Sequence, residues 1–122
     1  MNAPDALALA RFFAALTDGV ATGDSHWAAT TGPNGFLAFQ QVDRFRAPTW
    51  PDGCLPAHMH LDFVVDDLDA TGMRALAAGA TRLEVQPNAD HCIVYADPAG
   101  HPFCLSTWEG QALAAHAPGG CG

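Results

Sequence analysis

The chain reads as an α+β protein built from two copies of one unit: a strand, a helix and then three strands. Three observations predict this. The stretch HMHLDFVV from His58 alternates polar and apolar residues with the period of a strand. A helical pattern follows it, and then three short apolar runs separated by turn signals. The segment before residue 43 repeats much of that order. Asp5 and Asp69 are 64 residues apart and Pro33 and Pro98 are 65 apart, with each proline opening a Pro-x-Gly turn ahead of a final strand.

The second unit is the more regular. His58, His60, Asp62 and Val64 share one face of its first strand, and Met59, Leu61, Phe63 and Val65 share the other. Asp66 or Asp67 can N-cap a helix that runs through Leu68, Met73 and Leu76 and stops at Gly79. Strands are expected from Thr81 (TRLEV), His91 (HCIVY) and Pro102 (PFCLST), with QPNAD and DPAGH as the turns between them.

In the first unit, PDALALARFFAAL from Pro4 to Leu16 predicts a helix. Pro4 and Asp5 suit its first turn, Leu9, Phe12, Phe13 and Leu16 form its buried stripe, and Gly19 is expected to end it. Between Val20 and Thr31 the signal is weaker, with His26, Trp27 and Ala28 expected in a strand. A GPNG turn from Gly32 leads to a clear strand over Phe36 to Val42, with Leu37, Phe39 and Gln41 on one side and Ala38 and Gln40 on the other.

Three prolines and a glycine mark residues 43–57 as a linker. The organisation is therefore a shortened first module over 1–42, the Pro-rich linker over 43–57, a second module over 58–108 and a C-terminal tail over 109–122, all in one domain. Moving His60 back by the repeat distance places it before Met1, so the first module is expected to lack its first strand. An unpaired sheet edge of that kind predicts pairing with a second chain.

Composition narrows the function classes. At 49% hydrophobic and 15% charged residues the chain is globular. A net charge of −8 with five scattered basic residues excludes nucleic acid and anionic membrane surfaces as partners. No membrane-spanning run or leader pattern stands out, so a cytoplasmic protein is expected. Cys54, Cys92, Cys104 and Cys121 show no C-x-x-C spacing and are expected to be reduced.

Chemistry-bearing residues concentrate on the polar face of HMHLDFVV. His58 and His60 are spaced to chelate a metal, but the favoured reading has His60 as a pocket residue and His58 as a solvated residue at the strand start; Asp62 is a candidate base if burial raises its pKa or a simple hydrogen-bond acceptor if not. Nothing near Cys104 in sequence lowers its pKa, so it reads as a small sheet residue and not as a nucleophile. Gln40 can orient a ligand through its amide or stand exposed on its strand. Trp50 can lid a pocket, meet a dimer partner or anchor the linker. His26, His91, His101 and His116 share no spacing and are expected at the surface or in turns, and the Asp66–Asp67 pair reads as a helix start.

The motifs HLDFVVDDLDA from His60, GATRL from Gly79 and DPAGHPFCL from Asp97, with the FLAFQ strand and the RAPTWP linker from Arg46, resemble the vicinal oxygen chelate superfamily. Within it they resemble the glyoxalase-like branch grouped with bleomycin-resistance proteins and extradiol dioxygenases. The resemblance spans about residues 3–108. It implies paired βαβββ modules whose curved sheets enclose a cleft, and a homodimer. Metal enzymes of that superfamily place ligands on the first and last strands of each module. Here His60 is the one matched ligand position, Cys104 stands where Glu is usual, Ala38 cannot ligate, and the first strand of the first module has no counterpart. The resemblance thus implies a small organic ligand bound in a cleft lined by Gln40, His60, Asp62, Cys104 and Ser106 beside Trp50, without the usual metal or another cofactor. Two alternatives remain open. One is a lyase, isomerase or dioxygenase with a divalent metal anchored by His60; the other is a drug-sequestering resistance protein.

Overall fold

The computed structural model of the chain describes residues 1–33, 35–51, 53–57 and 59–107. His58, His116, Cys121 and the tail lie outside them. The first module runs β1 (Asn2–Ala3), α1 (Ala6–Thr17), β2 (Val20–Gly23), β3 (Trp27–Gly32) and β4 (Gly35–Gln41). The second runs β5 (Leu61–Val64), α2 (Leu68–Ala78), β6 (Thr81–Arg82), β7 (Cys92–Ala96) and β8 (Pro102–Ser106). Each module forms a four-stranded sheet, in the orders β1-β4-β3-β2 and β5-β8-β7-β6. In both, the first strand lies parallel to the last while the other pairs are antiparallel. The fold is therefore α+β with two βαβββ modules, as the sequence pattern predicts.

The first module does have a first strand, which corrects the expectation that it is missing. Asn2 and Ala3 pair with Gln40 and Gln41, as β5 pairs with β8, but over two residues where β5 has four. The Gln40 N–H donates to Met1 O at 2.9 Å and the Val42 N–H donates to Ala3 O at 3.1 Å, so the ladder extends a little past the strand itself.

Both helices begin at an aspartate. Asp5 accepts from the Ala8 N–H and Asp67 from the Ala70 N–H, each at 3.0 Å. These equivalent caps are 62 residues apart, and Asp69 falls inside the first turn of α2 instead of opening it. Gly79 ends α2 at φ +119°. Asp18, and not Gly19, takes the left-handed cap of α1 at φ +57°, a conformation that a short polar side chain tolerates. Arg74 of α2 donates to Ala15 O and to the Asp18 carboxylate, which ties the C-terminal end of α1 to the middle of α2.

β2 was not anticipated and β6 is shorter than anticipated. Asp24 explains the first. Its carboxylate accepts from the His26 and Trp27 N–H groups at 2.8 and 3.1 Å and folds a tight turn that pairs VATG with β3. Gln86 explains the second. Its side chain donates to Val94 O at 2.9 Å and accepts from the Val94 N–H at 2.8 Å, so an amide side chain continues the ladder where Glu84 and Val85 leave it.

The core lies between the helices and the inner faces of both sheets. Leu9, Phe12, Phe13 and Leu16, the stripe read from sequence, are all buried. The Phe13 ring stacks on Phe39 at 5.7 Å and meets Phe63 and Phe103 at 6.0 Å, so one side chain joins both modules. Burying a side chain of this kind contributes about 2–3 kcal/mol. Cys54 and Cys104 form no disulfide, whereas Cys92 is disulfide-bonded, which corrects the expectation of four reduced cysteines. Among the described residues no helix is long and apolar enough to cross a membrane.

Candidate functional site

With Leu61, Phe63 and Val65 packed inward, the alternation of β5 turns His60 and Asp62 to the outer face of the second sheet. The parallel register then sets Asp62 beside Cys104 and Val64 beside Ser106. His60 precedes the strand, which starts at Leu61 and not at His58. One donor atom from each of His60, Asp62 and Cys104 lies within 4.8 Å of the other two. The His60 Nε2 to Asp62 Oδ1 distance is 3.6 Å, too long for a hydrogen bond.

Burial pushes the Cys104 thiol well above its ordinary pKa, and the Asp62 charge and a hydrogen bond with its carboxylate add to the effect. The thiol is fully buried and stays protonated at neutral pH, so it is no free nucleophile. Asp62 is about half exposed and His60 about a quarter. The cluster therefore has a dry end at Cys104 and a wet end at Asp62.

Trp50 comes from the linker, whose turn is closed by the Thr49 N–H donating to Leu55 O at 2.7 Å. The indole packs against Cys92, Val94 and Cys104, with Leu83 beside it. Its ring stands edge-on to His60, with centroids 6.3 Å apart. The indole N–H is buried without a hydrogen-bond partner among the described residues, a costly state for a donor.

The structure thus brings together His60, Asp62 and Cys104, with Trp50 against them and buried Ser106 further along the same face. Gln40 stands elsewhere, on the outer face of the first sheet, where its amide donates to Asn2 Oδ1 at 2.8 Å. Two features were not read from sequence. A cleft of about 530 Å³ opens between the modules, walled by Leu16, Leu37, Phe63, Val65 and Leu105, and it touches the donor cluster only at Asp62. Leu16 and Leu105 in its wall are buried core side chains, and Phe36 at its mouth is exposed. His101 also does more than occupy a turn. Its Nδ1 lies 2.9 Å from Oδ2 of fully buried Asp97, which also accepts from the Ala99 and His101 N–H groups. An Asp opening a Pro-Ala-Gly turn is the signal that could have found this pair.

Residues 1–106 match the family model described as glyoxalase-like domain. The chain belongs to the glyoxalase-like domain family. Solved structures of similar fold include the fosfomycin resistance protein FosX from Mesorhizobium loti, at TM-score 0.70 and 17% identity over 94% of this chain and 92% of that one. A glyoxalase/bleomycin resistance protein/dioxygenase family enzyme from Burkholderia phytofirmans aligns at TM-score 0.63 and 15% identity, over 86% and 91%. A FosX variant from Listeria monocytogenes, solved with Mn(II) and 1S,2S-dihydroxypropylphosphonic acid, aligns at TM-score 0.66 and 13% identity over 91% and 90%. No curated protein sequence matches this one. At these identities the likeness establishes the fold, and one fold hosts many activities. In this glyoxalase-like domain an imidazole, a carboxylate and a buried thiol converge beside an indole N–H that has no partner among the described residues.

Proposed function

We propose that this glyoxalase-like domain binds a small oxygen-bearing organic molecule on the outer face of its second sheet. Asp62, His60 and Cys104 form the polar end of the site, and Trp50 supplies an aromatic wall and a hydrogen-bond donor. The observation that carries the reading is the convergence of the three donors within 4.8 Å on a face otherwise lined by Cys92, Val94 and Trp50. A few converging polar groups against an apolar wall are the usual makeup of a small-molecule site. The Trp50 indole N–H would gain the acceptor it lacks.

Cys92, Val94, Cys104 and Ser106 are buried within the chain, so the site meets solvent at Asp62 and His60, and a second copy of the chain is the proposed cover there. The outer face of the first sheet carries Val20, Trp27 and Phe36, each more than half exposed, and Gln40 lies on that same face. Such a patch marks an interface. Docked over the second sheet of a partner, it would bring Gln40 toward His60 and cover the exposed end of the outer-face site in a homodimer of the cytoplasm. A metal-dependent lyase, isomerase or dioxygenase is the second reading, favoured by the 3.6 Å His60–Asp62 separation. A drug-sequestering role draws support only from the fosfomycin resistance proteins among the neighbours, whose low identity carries no ligand across.

A thermal-shift screen of small carboxylates, phenols and dicarbonyls tests the reading, since a ligand of the native state raises the melting temperature by mass action. Hits whose shift vanishes in His60→Ala support it. Hits unaffected by both His60→Ala and Asp62→Asn overturn it.

A further inference from the structure

We propose that the cleft between the modules is a slot for an extended, cationic peptide, taken up by strand addition along the free edges of β4 and β5. The slot is separate from the outer-face site and works through backbone groups that the outer-face site does not use.

The lining shows what kind of cleft this is. Side chains of a strand alternate between its two faces, so a pocket against either face is lined by every second residue. This cleft is lined by the consecutive residues Asp62, Phe63, Val64 and Val65 on one side and by the consecutive residues Gly35, Phe36 and Leu37 of β4 on the other. Consecutive residues share a cavity only along the edge of their strand. Two strand edges therefore border the same space of about 530 Å³.

Both edges are unpaired there. The two sheets share no ladder. Just past β5 the Val65 N–H donates to Ser106 O at 2.7 Å, so the alternate residues Asp62 and Val64 turn their N–H and C=O groups away from β8. At the end of β4 the Gln41 N–H donates to His26 O, next to β3, and the Gln40 N–H donates to Met1 O. Even-numbered residues of β4 thus face the β1 side, but β1 pairs only with Gln40 and Gln41 and leaves Phe36 uncovered. Among the described residues the backbone groups of Phe36, Asp62 and Val64 have no hydrogen-bond partner. An added strand is what satisfies such an edge.

The same groups define the occupant. Donors and acceptors repeating every second residue along two edges match a peptide backbone in extended form. Leu37, Phe63 and Val65 pack toward the core and call for apolar side chains at alternate positions of the peptide. Asp62 is the one charged residue among the described lining, and the chain carries a net charge of −8, so the complementary charge is positive.

The probe is a blocked peptide of alternating valine and threonine with a lysine at each end, added to the full-length labelled chain and followed by amide hydrogen exchange in NMR. Exchange should slow at least about tenfold at Phe36, Asp62 and Val64 and stay unchanged at Leu37, Phe63 and Val65, whose N–H groups already face a paired strand. The same peptide N-methylated at every second residue, or ended by glutamate instead of lysine, should bind at least about tenfold more weakly. Val64→Pro removes a slot-side donor without touching the ladder to β8 and should weaken the peptide at least about tenfold, whereas Val64→Thr, which keeps the N–H, should bind it as the parent does. If Val64→Pro fails to fold, the N-methylated peptide decides the matter on the unaltered protein. No binding at about 1 mM peptide, equal binding of the N-methylated form, or protection that does not alternate along β4 and β5 overturns the proposal. Protection of the same amides in the protein alone, growing with its own concentration, also overturns it, because the occupant is then a second copy of the chain.

Discussion

Replacing Gly72 with alanine should destabilise this protein, although the same change inside a helix ordinarily stabilises. A glycine in mid-helix gives up about 0.5–1 kcal/mol relative to alanine through its extra backbone freedom. In α2, however, a Cβ at Gly72 would lie 2.4 Å from the Tyr95 hydroxyl oxygen and 3.5 Å from the carbon that bears it. Tyr95 is buried on the inner face of β7 and stacks on Phe103 at 5.7 Å, so its rigid ring has little room to retreat. Overpacking of this kind costs about 1–3 kcal/mol, which exceeds the helix gain and leaves a net loss of about 1 kcal/mol. In Tyr95→Phe the clashing oxygen is gone and the remaining contact at 3.5 Å is an ordinary one. Gly72→Ala made in that background should therefore stabilise by about 0.5–1 kcal/mol. The assay is equilibrium urea unfolding of the four proteins in the cycle, read as midpoint and slope. A reversal of sign with a coupling of about 1–3 kcal/mol is expected, well above the few tenths seen for independent sites. If Gly72→Ala stabilises equally with and without the tyrosine hydroxyl, the packing of α2 on the second sheet has been misjudged.

Four further outcomes follow from the same structure. Asp97→Ala strips three donors of their acceptor at a fully buried carboxylate and should cost about 3 kcal/mol, lowering the melting temperature by about 10 °C in calorimetry. Because the folded-state pKa of Cys104 is raised, the unfolded chain loses its thiol proton first. Stability should be complete below the ordinary thiol value of 9.0 and fall above it by at most about 1.4 kcal/mol per pH unit, a slope that flattens in Cys104→Ala denaturation series. At pH 8 iodoacetamide should label exposed Cys54 quickly and buried Cys104 only on unfolding, as peptide mass mapping would show. Phe36→Asp, placed in the exposed patch of the first sheet, should convert the proposed dimer to a monomer in analytical ultracentrifugation without lowering secondary structure in circular dichroism.

Much of the fold was legible because local chemistry and tertiary packing agree. The Leu9, Phe12, Phe13 and Leu16 stripe, a cap at Asp66 or Asp67 and the Gly79 stop follow from helix geometry alone, and the structure chooses Asp67 for the cap. The alternation of HMHLDFVV put Asp62 on the outer face and Phe63 in the core for the same reason. What escaped the sequence depends on side chains that imitate backbone. Asp24 folds the β2–β3 turn and Gln86 extends the sheet beyond β6, and a glutamine gives no periodic signal that it will do so. β1 was missed because two residues are too short to show a period. At the site, spacing exposed the His60–Asp62 pair, and the family motif pointed to Cys104. The parallel register that sets Cys104 beside Asp62 is a long-range pairing. Trp50 reached the same face through a linker turn that no pattern specifies, and its orphaned indole N–H became visible only with the packing around it.

The most direct test of the outer-face site is residue-resolved NMR on the uniformly labelled protein during addition of the strongest small-molecule hit. The account predicts that shifts concentrate in the amides of Leu61–Val64 and Phe103–Ser106 and in the Trp50 indole N–H, which moves downfield as it gains an acceptor. Shifts confined to Leu16, Thr17, Thr30 and Gly32, around the cleft between the modules, would contradict it and move the site to the other side of β5.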